Sequence, residues 1–297
     1  MNLRKNGPFL FLISNLFFGF LPIMVKWGNE LHYSPVEESF FRFVFAAFGV
    51  GALWFLGKSL KPVNMPALLW RGFFGSISIL AYFIALQTTT VGKGTLLNYT
   101  TTIWSNVYAV LFFKHKPPKG YFWILLLAGV GLQLVMNVNW ESFNYGDAAG
   151  FLSGVTGGAA VLAVKRARRT DNSITVFASF MVFSLVLSGI LLLVHPVFGV
   201  PVPTVMTWTT PDFSGLMVLL GIGFVAMVAQ MFFTEAFGHT SLALGTLLSV
   251  MVPIFAAIFG RVILGETFTP HFVLGMVLVL SACLLLGWRE RVEAYVE

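Results

Sequence analysis

The sequence predicts an all-α integral membrane protein with ten transmembrane helices. Of its 297 residues, 57% are apolar and only 10% are charged, and the mean hydropathy is +0.85. This balance excludes an ordinary soluble domain and is typical of a chain that crosses a bilayer several times. Two further observations refine the prediction: Lys and Arg alternate between successive gaps of the apolar stretches, and the second half of the chain resembles the first.

The apolar stretches set the number of crossings. A transmembrane helix needs about 20 mostly apolar residues to span the hydrocarbon core. The first stretch is too long for a signal peptide and lacks a cleavage site after it, so we expect a retained helix. Short separations between the third and fourth, and the eighth and ninth, predict two tight helical hairpins. The ten stretches lie at approximately 8–30, 34–56, 67–88, 93–113, 120–138, 147–165, 173–195, 213–237, 240–263 and 269–288.

Basic residues orient the crossings. Cytoplasmic loops retain Lys and Arg because these residues resist translocation. Fourteen of the 18 fall before the first stretch, after the last, or in alternate gaps, so both termini are predicted to be cytoplasmic. This placement also explains the net charge of +6 without a nucleic-acid partner. The fourteen are Arg4, Lys5, Lys58, Lys61, Arg71, Lys114, Lys116, Lys119, Lys165, Arg166, Arg168, Arg169, Arg289 and Arg291; the exceptions are Lys26, Arg42, Lys93 and Arg261.

The second half of the chain repeats the first. The sequence from Gly94 to Leu97 recurs from Gly245 to Leu248, at an offset of 151 residues. Residues 1–138 and 147–297 are therefore predicted to be two five-helix repeats within a single membrane domain. An odd number of crossings per repeat makes the two halves enter the membrane from opposite sides. Such inverted repeats are typical of carriers whose cavity faces each compartment in turn.

Two stretches carry a further pattern. The region from Thr240 to Leu286 contains Val252-Pro253-Ile254-Phe255, then Leu264-Gly265-Glu266, and ends in a helix with a glycine. A similar pattern runs from Ala81 through Phe113. Together with Arg42 early in the second helix, these stretches resemble the EamA-type members of the drug/metabolite transporter superfamily, over nearly the whole chain.

The resemblance implies ten helices, with a central cavity between the first four helices of each repeat and peripheral fifth and tenth helices. It also implies secondary transport, often export of small metabolites or amino acids. The first half departs from the pattern in two places. Lys114-His115 stand where the second half has Gly265-Glu266, and Thr102 stands where it has Pro253.

Arg42 and Lys26 are cations within the apolar stretches. Arg42 lies about 12 Å along the second helix, too deep to reach the headgroups easily. Its guanidinium either binds a substrate carboxylate or phosphate, or pairs with Glu38 one turn earlier. Lys26, near the outer end of the first helix, either extends to the headgroups or forms a cationic cavity wall beside Trp27.

The fourth helix is unusually polar. Asn98, Thr102, Ser105 and Asn106 lie largely on one face, which either lines a wet cavity or forms hydrogen bonds to neighbouring helices. Aromatic residues one turn apart favour the cavity, and in the ninth helix Ser249 corresponds to Asn98. Pro253 would loosen that helix at mid-membrane. The predicted substrate-binding residues are Arg42, Asn98, Thr102, Trp104, Ser105, Tyr108, Lys26, Tyr82, Tyr99 and Ser249.

Glu235 is the acidic candidate of the second half. It is either a proton-coupling carboxylate or a helix-end group paired with His239 or a cytoplasmic lysine. We find no nucleotide-binding glycine loop and no Cys/His/Asp cluster with metal-ligand spacing, so neither a cofactor nor a metal is expected.

The sequence thus predicts a secondary active transporter, and not an enzyme, in the inner membrane. Its partners are the bilayer and a small polar or zwitterionic metabolite such as an amino acid, moved by alternating access. Export is expected from the resemblance alone, with import or exchange as the alternative. A channel or an intramembrane enzyme is less favoured, because one helix alone is strongly polar and catalytic clusters are lacking. Coupling to a proton or counter-substrate, and a monomeric or homodimeric state, stay open.

Overall fold

A computed structural model describes residues 6–89, 91–114, 118–136, 143–198, 207–264 and 269–296. These residues form twelve α-helices and contain no strand. The helices are α1 (Gly7–Glu30), α2 (Pro35–Phe55), α3 (Met65–Thr88), α4 (Val91–Asn98), α5 (Thr101–Phe113), α6 (Tyr121–Met136), α7 (Tyr145–Ala167), α8 (Ser173–Phe198), α9 (Phe213–Ala236), α10 (Leu242–Ser249), α11 (Val252–Leu264) and α12 (Pro270–Val296).

The twelve helices fill the ten predicted stretches, because the fourth and ninth stretches each contain two helices. Within the described ranges, eight stretches are long and apolar enough to cross a membrane, and one of these runs through both α10 and α11. The α6 helix is apolar but shorter. The all-helical membrane architecture is therefore confirmed, whereas ten crossings and the cytoplasmic location of both termini stay predictions. The Gly265-Glu266 pair lies outside the described residues.

Several helices begin at a side chain that caps their first turn. Ser34 and Glu37 form a reciprocal capping box at α2, and Asn144 and Asp147 form another at α7. At α9, Asp212 accepts a hydrogen bond from the backbone N–H of Gly215. This bond lowers the pKa of the Asp212 carboxyl, because it favours the charged form.

Two helix breaks interrupt the fourth and ninth stretches at equivalent positions. The first lies between Asn98 and Thr101 and the second between Ser249 and Val252, which is again an offset of 151 residues. Pro253 explains the second break, because it has no N–H to donate to the Ser249 carbonyl. The backbone crosses this break in tight turns whose N–H groups bond to carbonyls three residues back.

The first break forms without a proline. The N–H of Thr102 bonds to the Tyr99 carbonyl at 3.1 Å, and the N–H of Ile103 bonds to the Thr100 carbonyl at 2.9 Å. These are also three-residue spacings, so the helix tightens locally and its two pieces no longer share one continuous face. The Thr102 hydroxyl donates to the Thr246 carbonyl at 3.2 Å and thereby links the two halves of the chain.

The two halves of the chain are packed in an exchanged arrangement. The first helix of each half, α1 or α7, packs most extensively against the third helix of the other half, α9 or α3. In addition, the first helix of each half contacts the broken helix of the other half: α1 contacts α10 and α11, and α7 contacts α4 and α5. Helices α2 and α8 contact one another, as do α6 and α12. These pairings are unchanged when the two halves are interchanged.

Glycines allow the first helix of each half to approach a broken helix closely. A Cβ built at Gly158 of α7 would lie 2.5 Å from the Cβ of Trp104 in α5. A Cβ built at Gly19 of α1 would lie 2.4 Å from the Cβ of Phe255 in α11. Any side chain at either position would force the helices apart, as expected for small residues at membrane helix interfaces.

A buried ion pair ties α4 to α7. The Lys93 ammonium lies 2.7 Å from the Asp147 carboxylate, and the two side chains are 4% and 0% exposed. The same carboxylate accepts hydrogen bonds from the Thr89 hydroxyl and the Asn144 N–H, both at 2.8 Å. Lys93, an exception to the alternation of basic residues, is thus neutralised inside the protein.

Replacing Lys93 with Met is expected to destabilise the fold by about 3–5 kcal/mol, because it leaves the Asp147 charge buried without its ion-pair partner. The midpoint of thermal unfolding in detergent would report the loss. The double variant Lys93→Met/Asp147→Asn removes both charges and keeps one oxygen that can accept from either Thr89 or Asn144, so it should recover part of that loss. A double variant less stable than Lys93→Met would contradict this account.

Candidate functional site

A cavity of about 170 Å³ lies where the two helix breaks meet α1, α2, α3, α7, α8 and α9. The region of the first break contributes Asn98, Tyr99, Thr101 and Thr102, and that of the second contributes Thr246, Ser249 and Val252. Ligand sites for drug-sized molecules usually enclose about 300–1,000 Å³, so this cavity suits a small metabolite. Its position inside the bundle makes it the candidate functional site.

Six of the ten predicted binding residues line this cavity. The Asn98 amide also donates to the Ser153 hydroxyl of α7, and the Tyr82 hydroxyl lies 3.2 Å from the Thr95 hydroxyl. These contacts leave the polar side chains fixed around the space rather than pointing into lipid. The six are Arg42, Tyr82, Asn98, Tyr99, Thr102 and Ser249.

The other four predicted residues lie elsewhere. Trp104 and Tyr108 stack together on α5 with ring centroids 5.9 Å apart, and Trp104 also contacts Phe151 of α7. Ser105 is fully buried and donates to the Thr102 carbonyl at 3.2 Å. Lys26 is exposed near the end of α1. All four are outside the cavity lining.

The polar face of α5 beyond the break binds neighbouring helices. The Asn106 amide donates to the Tyr121 hydroxyl at 2.7 Å and to the Thr246 hydroxyl at 3.2 Å. Of the two interpretations of the polar fourth stretch, the cavity applies to Asn98–Thr102, and interhelical hydrogen bonding applies to the residues that follow. The helix break separates the two roles.

Arg42 is 2% exposed and faces the cavity. Its guanidinium lies 5.3 Å from the ring centroid of Phe43 and 5.7 Å from that of Phe83, while its Nη1 atom has no hydrogen-bond partner. Among the described residues, the pair with Glu38 is absent: Glu38 accepts instead from the Gln87 amide at 3.5 Å. The Arg42 charge is therefore stabilised by aromatic faces alone.

A second arginine in this cavity was missed at the level of sequence. Arg71 was grouped with the basic residues around the second gap, but it is the seventh residue of α3 and only 5% exposed. Its guanidinium lies 3.9 Å from the ring centroid of Phe180. The sequence does hold a signal for this placement: Asn64 caps the helix and Pro66 follows in its first turn, so α3 begins early enough to bury Arg71.

The described cavity lining is cationic and rich in donors. It includes two arginines, two tyrosines and several amides and hydroxyls, and no Asp or Glu. Four lining side chains retain unpartnered polar atoms: the Asn15 Oδ1, the Gln230 Nε2, the Arg42 Nη1 and the Arg71 Nε. Such a lining can hold an anionic group by charge and fix the rest of a ligand by directed hydrogen bonds.

Glu235 lies outside the cavity, in an ion cluster near the end of α9. Its carboxylate is 3.0 Å from Arg168 and 3.2 Å from His239, and the side chain is 34% exposed. In the same region the Lys165 ammonium donates to the carbonyls of Phe237 and Thr240, which follow the end of α9. These contacts join the ends of α7 and α9.

The model of the EamA-like transporter family matches residues 5–137 and again residues 144–288. The chain belongs to this family. The two matches cover the two halves of the chain separately. The apolar helices and this membership together make the protein a multi-pass integral membrane protein.

Three known proteins show the extent of the similarity. The chain is 25% identical over 296 residues to the pseudopaline exporter CntI of Pseudomonas aeruginosa, and this alignment covers 98% of this chain and 99% of the exporter. It is 27% identical over 271 residues to human solute carrier family 35 member G1, covering 85% of this chain and 71% of that protein. A crystal structure at 17% identity superposes with a TM-score of 0.74, covering 97% of this chain and 98% of that one, which shows the shared fold.

Glu235→Gln is expected to change stability by no more than about 1 kcal/mol, since Glu235 belongs to a partly exposed ion cluster. The variant should also keep transport and its pH dependence, because Glu235 does not line the cavity. Arg168→Gln, which removes the other side of the ion pair, is the matched control. Flux is measured across a pH series for both variants. If the pH dependence of flux disappears in Glu235→Gln but persists in Arg168→Gln, Glu235 is a coupling carboxylate and this prediction is wrong.

Proposed function

We propose that this EamA-family chain is a secondary active transporter of the inner membrane that moves a small polar or zwitterionic metabolite by alternating access. The observation that carries the proposal is a small cavity at the meeting point of two broken helices, with the unpaired guanidinium of Arg42 facing it. An arginine fork in a low-dielectric site binds a carboxylate or phosphate through charge-assisted bonds. Amino acids and related compounds carry such a group.

Internal symmetry supports alternating access. The helix breaks recur at an offset of 151 residues, the packing of the two halves is interchangeable, and the family model matches each half. Two five-helix repeats of opposite orientation would place one cavity on the symmetry axis between them. Exchanging the conformations of the two repeats then turns the cavity from one compartment to the other.

The helix breaks act as hinges in this mechanism. Around Tyr99-Thr100 and Val250-Met251 the backbone already departs from α-helical hydrogen bonding, so a change of angle there disrupts few bonds. Residues of both breaks line the cavity. The first break packs closely against Gly154 of α7, and α11, which follows the second break, packs closely against Gly19 of α1. Binding of a substrate at the breaks is thereby coupled to the position of helices in both repeats.

The direction of transport is proposed to be outward. A relative that aligns with nearly the whole chain is named an exporter, and solute carriers are among the other relatives. These names favour a transporter over an enzyme or a channel. Import or exchange by the same fold is the alternative, and flux measured in both orientations of the protein would separate the two.

Purified protein in proteoliposomes is expected to give saturable flux with at least one compound from a panel of amino acids, nucleosides and organic anions. Arg42→Ala should lower that flux by at least about thirtyfold, because truncating one member of a buried charged hydrogen-bonded pair costs about 2–5 kcal/mol. Lys26→Ala, which removes an exposed cation from the same half, is the control. No saturable flux with any compound would overturn the proposed function.

The inverted repeat is tested by topology. Tags at the two ends and at the stretch after Lys165 should all be accessible from the cytoplasm. A tag placed between the first and second helices, at Leu31-His32, should be accessible only from the opposite side. Termini found in different compartments would rule out two five-crossing repeats.

A further inference from the structure

We propose that the transported metabolite carries two separate acidic groups, one bound by Arg42 and the other by Arg71. This inference rests on the proposed function and narrows the substrate class from polar metabolites to elongated dianions. It follows from three features: two buried cations without counterions that line one cavity, the different aromatic ring that each of them contacts, and their expected positions along the membrane normal.

The two cations lack partners within the described protein. Arg42 is 2% exposed and Arg71 5%, and neither guanidinium has a hydrogen bond or an ion pair among the described residues. Both line the same cavity, whose described lining contains no carboxylate. A buried charge needs a counterion, and cation–π contacts replace its hydration only in part. The missing negative charges are therefore expected from the ligand.

Other buried or half-buried cations in the same molecule show the contrast. Lys93 is neutralised by Asp147, and Arg168 lies 3.0 Å from Glu235. The fold thus supplies an acidic partner for each of these two cations. Around the cavity it supplies two guanidinium groups and no acid.

The two guanidinium groups contact different rings of one aromatic pair. Arg42 lies 5.3 Å from the ring centroid of Phe43, which meets Phe180 edge-on with the centroids 4.9 Å apart. Arg71 lies 3.9 Å from the ring centroid of Phe180. Since each arginine packs against a different ring of this pair, we assign each its own acidic group, and a single anion held by both is the alternative that the experiment below tests.

The sequence positions of the arginines agree with two sites. Arg42 is the eighth residue of α2, and Arg71 is the seventh residue of α3. Since successive helices cross in opposite directions in the proposed topology, the two residues enter from opposite sides. At about 1.5 Å per residue in a core about 30 Å thick, their Cα atoms lie roughly 10 Å apart along the membrane normal.

The rest of the cavity lining offers neutral contacts. The unpartnered Gln230 Nε2 can donate and the Asn15 Oδ1 can accept, while Tyr82 and Phe83 provide apolar surface. These groups match an uncharged, partly polar linker between two acids. The expected substrate is therefore an elongated molecule with a carboxylate or phosphate near each end.

Binding to the full-length protein in detergent would test this proposal, with succinate, glutarate and adipate as probes, each compared with its monoamide and diamide. At least one dicarboxylate should bind about tenfold or more tightly than its monoamide, because the amide keeps the shape but loses one charge-assisted contact. Equal affinities for every dicarboxylate and its monoamide would overturn the proposal. Inorganic phosphate that binds more tightly than every dicarboxylate and needs both arginines would do the same, by showing a single anion site.

Variants of Arg71 test whether this residue binds the second acidic group of the substrate. Arg71→Gln should reduce dicarboxylate affinity to that of the monoamide and leave the monoamide nearly unchanged, a coupling that a purely structural role would not produce. Arg166→Gln is the matched control, because Arg166 also lies over an aromatic ring, that of Phe113, but outside this cavity. If Arg71→Gln does not fold, Arg71→Lys is expected to keep a preference for the dicarboxylate, weaker than that of the unmodified chain.

The two proposals fail in distinguishable ways. Saturable flux of zwitterions or monocarboxylates, with no preference for a second acid, would overturn the dianion inference and leave the transporter function standing. Absence of saturable flux for every class of compound would overturn both. Proteoliposome flux of the same probes provides this comparison alongside the binding data.

Discussion

The cost of placing charge in a low-dielectric interior organises this protein. Three kinds of response occur in the described structure. Lys93 is buried against Asp147 and holds α4 to α7, while Arg168 and Glu235 pair where α7 and α9 end. Arg42 and Arg71 receive only aromatic faces. The first two responses stabilise the bundle. The third leaves two buried positive charges without counterions at its centre, and an anionic ligand can neutralise them.

A second constraint is that backbone groups inside a membrane need partners. Each broken helix meets this constraint with tight turns and with side chains from neighbouring helices, among them the Thr102 hydroxyl that reaches the Thr246 carbonyl. The breaks therefore occur where protein surrounds them, as expected for irregular backbone at membrane depth. Proline produces the second break, whereas the first forms at Tyr99-Thr100 without one. The same geometry arises from different residues because the packing around it is equivalent.

Much of the fold could be predicted from the sequence. Apolar length predicted the all-helical membrane class, and the recurrence of Gly94–Leu97 at Gly245–Leu248 lies in the short helices before the two breaks. The candidate site was only partly accessible. Trp104 and Tyr108 were grouped with Asn98 because the fourth stretch was treated as one continuous helix, and a tight turn re-aims every side chain that follows it. Arg71 was missed because a basic residue near a loop is usually a topology signal. Burial of its side chain depends on the exact start of α3 and on the distant Phe180, which no local pattern reveals.

Exchanged packing also determines how the chain can be divided. Cut in the gap between α6 and α7, each fragment would hold five stretches but lose the helices on which its first helix packs most. Function would then need both fragments in the same bilayer, since neither can enclose the cavity alone. In the proposed inverted topology, a half-length ancestor would face the same requirement and would need a second, oppositely inserted copy of itself. Fusion of two such genes would turn that subunit interface into the interior of one polypeptide and fix the stoichiometry of the halves at one to one.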